Sequence, residues 1–87
     1  KFMQHIDEVR NILADTLSLG DRKHQLNENS FLLGSIPELD SMAVVNVITA
    51  LEDFYNISVD DDEISAKTFE TLGSLTIFVE QKLSQSN

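Results

Sequence analysis

Apolar residues recur in this 87-residue chain at helical spacing, and no segment alternates apolar with polar as a strand does. That periodicity confines the fold to packed helices. Phe2, Ile6, Val9, Leu13 and Leu17 fall at spacings of four, three, four and four, one stripe on a helix face with Asp7, Glu8, Arg10 and Asn11 outside it. Gly20 is the expected terminator, because glycine takes the left-handed conformation that closes a helix without steric penalty. A second helix is expected from Asp40. Its apolar positions Met42, Val45, Ile48 and Leu51 step by three, Tyr55 lies four further on, and Val44, Val47 and Phe54 widen the stripe. Several of these residues are β-branched and mediocre helix formers, so packing rather than propensity must hold this helix. A short third helix is expected near Asp61–Ser65. The last begins with Thr71 as N-cap and runs through Leu72, Leu75, Val79 and Leu83, with Phe78 beside the stripe. Gly73 in its first turn costs up to about 1 kcal/mol relative to Ala, which points to close approach by another backbone.

Residues 21–39 read as a connection, because Asn27, Asn29, Ser30, Gly34, Ser35 and Pro37 break any regular pattern. Leu26, Phe31, Leu32 and Leu33 are expected to pin it to the bundle, with one short helical turn. Pro37 biases Ile36 toward an extended conformation and keeps the chain non-helical just before the second helix. The expected fold is all-α: a four-helix bundle with a long loop between the first and second helices and a short third helix, residues 1–87 forming one domain.

A domain of this size buries a modest core, and with no Cys it has no disulfide, thiolate metal site or thiol nucleophile. The first residues lack the charged-then-apolar pattern of a secretory signal, and the run Met42–Leu51 is far short of a membrane span. A soluble cytoplasmic monomer is the expectation. Charge narrows the partners further. The net charge is −9, of which −7 sits in residues 40–63: Asp40, Glu52, Asp53, Asp60, Asp61, Asp62 and Glu63 with no Lys or Arg. Phosphate backbones and anionic membranes need cations, so nucleic acid and membrane are disfavoured. Basic surfaces on partner proteins are the natural complement.

The chemically informative stretch runs from Leu33 to Met42. Asp40 is placed to accept hydrogen bonds from the first-turn amides, an N-cap worth about 1 kcal/mol. Ser41 then takes the first helical position, and its hydroxyl projects into solvent. A phosphate ester there would lie near the positive end of the helix dipole, a gain of roughly 0.3–1 kcal/mol. Taken alone, Asp-Ser is an ordinary helix start.

Asp40-Ser41-Met42 resembles the Asp-Ser-Leu motif at the phosphopantetheine site of acyl carrier proteins. Ala50-Leu51-Glu52-Asp53 followed by Phe54-Tyr55 is similar to that family's second-helix ending. Ile57-Ser58-Val59 before Asp60–Glu63 resembles its approach to the third helix, and Thr68–Thr71 with the helix that follows resembles its last element. The resemblance spans roughly Leu33 to Leu83. It implies that a phosphopantetheinyl transferase places 4′-phosphopantetheine from coenzyme A on Ser41, with Asp40 and Met42 as flanking motif. The absence of Cys fits, since the reactive thiol would belong to the cofactor. It further implies acyl-loading ligases and acyl-accepting enzymes as partners, and a possible shelter for the acyl chain between the second and third helices, lined by Ile48, Leu51, Val59 and Ile64. No catalytic residue is assigned: no His or Lys lies within four residues of Ser41 as a local base.

The chain departs from the family pattern on the second helix, where carriers of fatty acid synthesis usually place several acids after the serine. Ala43, Asn46 and Thr49 are uncharged, and Val44 and Val47 add apolar surface. Partner contact is therefore expected from Val44 and Val47 near the serine and from Glu52 and Asp53 at the far end. Leu32-Leu33-Gly34 through Pro37-Glu38-Leu39-Asp40-Ser41-Met42 resembles dedicated carriers of bacterial exopolysaccharide and exosortase clusters. Met42 also resembles the D-alanyl carrier proteins. The competing readings are a carrier-like docking domain that is never modified and a small enzyme, for which no nucleophile–base pair, metal cluster or phosphate loop stands out. A calcium loop from Asp60 would need Gly and Glu where this chain has Ser65 and Thr71, so a solvated acidic turn is the reading there. His5 and His24 are isolated, without metal-ligand spacing.

Overall fold

The computed structural model describes residues 4–85, and all regular elements among them are helical: α1 (Ile6–Leu17), α2 (Ser41–Tyr55), α3 (Leu72–Gln85) and the 3-10 segments Gly20–Gln25 and Asp61–Glu63. α1 packs against both α2 and α3. Val9, Leu13 and Leu17 of α1 are buried, as the stripe predicts, Ile6 is half-buried, Ala14 adds to the buried face, and Phe2 lies outside the described residues. The helix closes two residues before Gly20. Ser18 adopts φ 57° and its N–H donates to the carbonyl of Ala14. A left-handed serine costs about 1 kcal/mol, and Leu19, buried directly after it, offsets that strain. Gly20 is itself left-handed, at φ +61°, and turns the chain into the first 3-10 segment.

The buried face of α2 differs from the sequence expectation. Ala43, Val47, Ile48 and Leu51 point inward, whereas Met42 (69% exposed), Val45 (57%) and Phe54 (58%) face water. A step of three residues falls about 60° short of a full turn each time, so Met42 and Leu51 end on opposite sides of the helix. Asn56, at φ 57°, closes α2, a conformation asparagine tolerates.

The third helix is reduced to the single 3-10 turn Asp61–Glu63, with turns over residues 66–69. Four successive acids repel, and aspartate is a poor helix former, so the turn does not extend. What fixes it is Glu63: its carboxylate accepts from the Asp60 amide (3.0 Å) and pairs with Lys82 Nζ of α3 (2.6 Å). The hydrogen bond from Lys82, then that from Asp60, holds the Glu63 carboxyl below the usual carboxylate range.

The long connection is tied down by backbone. Leu32 and Leu33 donate to the carbonyls of Glu70 and Phe69 (2.9 and 3.0 Å), and Leu72 and Gly73 donate to Ser30 and Glu28 (3.0 and 2.9 Å). Phe31 and Thr71 form an isolated antiparallel bridge. The Gly73 amide thus meets the approaching backbone that its position suggested. Of the four expected anchors, Leu32 is fully buried and Leu26 half-buried, but Phe31 (60%) and Leu33 (42%) are exposed. Leu19 and Leu39 complete the anchoring. α3 starts with a reciprocal cap: Thr71 Oγ1 accepts from the Ser74 amide and Ser74 Oγ from the Thr71 amide, both at 3.0 Å.

Candidate functional site

The site forms where the long connection hands over to α2. Asp40 is extended (φ −99°, ψ −172°), and its Oδ1 accepts from the Ala43 amide at 2.8 Å while its carbonyl accepts from Val44 at 2.9 Å. These bonds fix the first turn. Ser41 is therefore the first residue of α2 and is exposed, as expected. The amides of Ser41 and Met42 lie ahead of any intrahelical acceptor and are available to an anion at the same helix end.

A cavity of about 580 Å³ opens beside this serine. Exposed residues Leu33, Asp40, Ser41, Ser65 and Ala66 form its rim, half-buried Val44 and Ile64 its walls, and buried Leu39 and Phe69 its floor. The lining is predominantly apolar. It is contributed by three separate stretches: the end of the long connection, the start of α2, and the segment after the second 3-10 turn.

Several residues expected at the site lie elsewhere. Val47 is fully buried and cannot meet a partner, while Val44 faces the cavity instead of open solvent. Both follow from the corrected orientation of α2. Of Ile48, Leu51, Val59 and Ile64, only Ile64 lines the cavity. Ile48 and Leu51 are spent in the core beneath α2, and half-buried Val59 packs against that core. Glu52 uses its carboxylate internally, accepting from the Val59 amide at 2.8 Å, and Asp53 is exposed. Leu33, Leu39, Ala66 and Phe69 were not expected at the site. They sit in irregular segments, where no period marks a shared face.

His5 and Tyr55 form a separate group near the end of α2 remote from Ser41. The His5 ring packs edge-on to Tyr55 (5.7 Å) and its Nδ1 lies 3.2 Å from Glu80. The Tyr55 hydroxyl donates to Glu8 at 2.9 Å, and burial first, then that carboxylate, pushes the phenol above its ordinary range. These contacts join the three helices. Among the described residues, no group of His, Cys, Asp and Glu could hold a metal ion, and no helix is long and apolar enough to cross a membrane.

The residues present fit a phosphate-linked cofactor: an exposed hydroxyl at a helix start, unpaired amides beside it, and an apolar cavity next to the point of attachment. Comparison with known proteins agrees. The family model described as phosphopantetheine attachment site matches residues 7–79. The solution NMR structure of a holo acyl carrier protein from Nitrosomonas europaea superposes with a TM-score of 0.87 at 73% sequence identity, covering 93% of this chain and 98% of that one. No match is found among curated proteins. On its fold, its matched residues and this likeness, the chain belongs to the acyl carrier protein family, whose cofactor is covalently bound 4′-phosphopantetheine.

Proposed function

We propose that Ser41 is the residue that bears 4′-phosphopantetheine and that residues 1–87 act as a single carrier domain, passing an acyl group between partner enzymes of lipid, polyketide or surface-polymer biosynthesis. The observation that carries this reading is the exposed Ser41 hydroxyl at the first position of a capped helix. When bound, the cofactor supplies a terminal thiol that holds the cargo as a thioester. The chain's own residues do the rest. Asp40 locks the first turn and so fixes where the Ser41 oxygen sits. The free amides of that turn favour the negative charge of a phosphodiester. No His or Lys stands next to Ser41 in sequence, so the base that takes its proton belongs to the phosphopantetheinyl transferase, and the carrier provides the acceptor oxygen only.

The cavity supports an apolar cargo. Its volume and its Leu39, Val44, Ile64 and Phe69 lining suit the hydrocarbon part of an acyl chain, which gains roughly 0.8 kcal/mol for each methylene withdrawn from water. A D-alanyl group would leave most of that lining without a partner, which favours the acyl reading over the D-alanyl one.

Intact mass after incubation with coenzyme A and a broad-specificity transferase tests the assignment. The expected result is one added phosphopantetheine on the native chain and none on Ser41→Ala. An unchanged native mass, with a control carrier loaded in the same reaction, would favour a docking domain that is never modified.

A further inference from the structure

Resting on the reading of Ser41 and its cavity, we infer that Lys82 of α3 is a positioning residue for the acyl cargo. Through Glu63 it holds the outer wall of the cavity, and so sets how long a chain that packs on that wall stays covered. The two sides of the cavity are fastened differently. Leu33 belongs to the main-chain strap, and Asp40, Ser41 and Val44 to the capped start of α2. The opposite side is Ile64, Ser65 and Ala66, in an irregular segment. Its backbone bonds are internal: Glu63 and Ile64 donate to the carbonyls of Asp60 and Asp61 (2.9 and 3.2 Å), and Thr68 to that of Ser65 (3.0 Å). Among the described residues, the 2.6 Å bond from Lys82 to Glu63 is the one hydrogen bond that ties residues 61–67 to a helix.

The chain meets α3 again at Thr68, whose carbonyl lies 3.0 Å from the Ser74 hydroxyl, just before buried Phe69. The wall is thus slung along α3 between Lys82 and Ser74, about 12 Å apart on the helix axis. Between those points it has space behind it. A second hollow, about 320 Å³, is lined by Ser65, Lys67 and Thr68 and by Ile77 and Phe78 of α3. A wall with the cavity on one face and a hollow on the other stays where its ends are held. Lys82 is suited to hold one end. Its side chain is 14% exposed and that of Glu63 29%, so the pair is largely withdrawn from water and worth more than an exposed one. Glu63 directly precedes Ile64, so the wall residue cannot shift far while that carboxylate is held. The cavity already offers about 580 Å³ with Ile64 in this position. A seated chain therefore needs no opening of the wall, and a loosened wall only forfeits apolar contact with it. A two-carbon cargo has a single methyl group to bury and should be indifferent to Lys82.

Aminolysis of the thioester by hydroxylamine tests this on the full chain, loaded with octanoyl- or acetyl-phosphopantetheine by a broad-specificity transferase. The amine attacks the carbonyl carbon, the C–S bond breaks and the sulfur leaves as thiolate, so intact mass follows the loss of cargo. Lys82→Met is expected to lose octanoyl about fivefold faster than the native chain, and acetyl within about twofold of the native rate. Adding Glu63→Gln to Lys82→Met should give no further increase, because the two residues act through one bond. Tyr55→Phe removes a hydrogen bond at the end of α2 remote from Ser41 and controls for general loosening; its octanoyl rate should stay within about twofold of native. The inference is overturned if Lys82→Met holds octanoyl as the native chain does, or if Tyr55→Phe releases it equally fast. Either result leaves Ser41 and the cavity as read. Octanoyl lost no more slowly from the native chain than from coenzyme A would show that the cavity covers no cargo, which overturns that reading and this one together. A native chain that gains no mass removes the Ser41 assignment itself.

Discussion

Replacing Asp40 by alanine isolates the interaction that presents Ser41. The substitution removes the 2.8 Å bond from the Ala43 amide and leaves the Asp40 carbonyl free to keep its bond to Val44. The abandoned amide is only partly buried, so water can reach it, and the loss should fall mid-range for N-caps, about 1 kcal/mol. For a chain of this length that corresponds to a fall in melting temperature of about 4–8 °C. Locally, the first turn of α2 should open roughly five times more often. Thermal denaturation by circular dichroism reads the first effect, and amide hydrogen exchange at Ala43 and Val44 the second. Asp40→Asn keeps an acceptor and removes the charge, so it should lose only a few tenths of a kcal/mol. Unchanged melting and exchange in the alanine variant would refute the idea that this carboxylate holds the turn. An asparagine variant as damaged as the alanine one would shift the credit from the hydrogen bond to the charge.

Leu32→Ala should destabilise by about 2–5 kcal/mol, because the side chain is wholly buried, while exposed Phe31→Ala should change stability by less than about 1 kcal/mol; urea denaturation compares the two. Glu63 has a lowered pKa in the folded chain, so its stabilisation is complete above the ordinary value of 4.5 and is lost as pH falls through the lower folded value. Glu63→Gln should therefore be less stable than the native chain near pH 7, the gap closing with acid, as melting temperatures across pH will show. Thr76 is the buried polar side chain of the core, its hydroxyl donating to the Leu72 carbonyl at 2.8 Å. Thr76→Val should lie within about 1 kcal/mol of native in chemical denaturation, since that carbonyl keeps its place in the helix ladder.

What could be read from sequence divides along a physical line. The start of α2 was legible because capping is local chemistry: an aspartate before a helical run needs only its own next few amides. The stripe of α1 was legible because charged residues stand between its apolar ones and give the period contrast. α2 lacks that contrast. From Met42 to Leu51 almost every residue is apolar, so several faces qualify, and the three-step reading chose one that crosses the helix from water to core. The misplacement of Val47 follows from that choice, whereas Ile48 and Leu51 are core residues as the stripe expects and were set at an acyl shelter by the family resemblance alone. The cavity itself was beyond sequence reasoning, because Leu33, Leu39, Ile64 and Phe69 meet only through the tertiary path of two irregular segments. The short third helix was expected in the right place, and its brevity reflects mutual repulsion of acids, one of which, Glu63, pairs with Lys82 of α3.

The strap between residues 28–33 and 69–73 is made of main-chain atoms alone. Those bonds are indifferent to which exposed side chains hang from the strap, while its buried Leu32 and Phe69 stay bound to the core. Leu33 and Glu70 can be exchanged for other residues, and the lip of the cavity re-dressed for a different guest, without unhooking the frame that surrounds Ser41. Proline is the exception at positions 32, 33, 72 and 73, since each of those residues contributes an N–H to the strap.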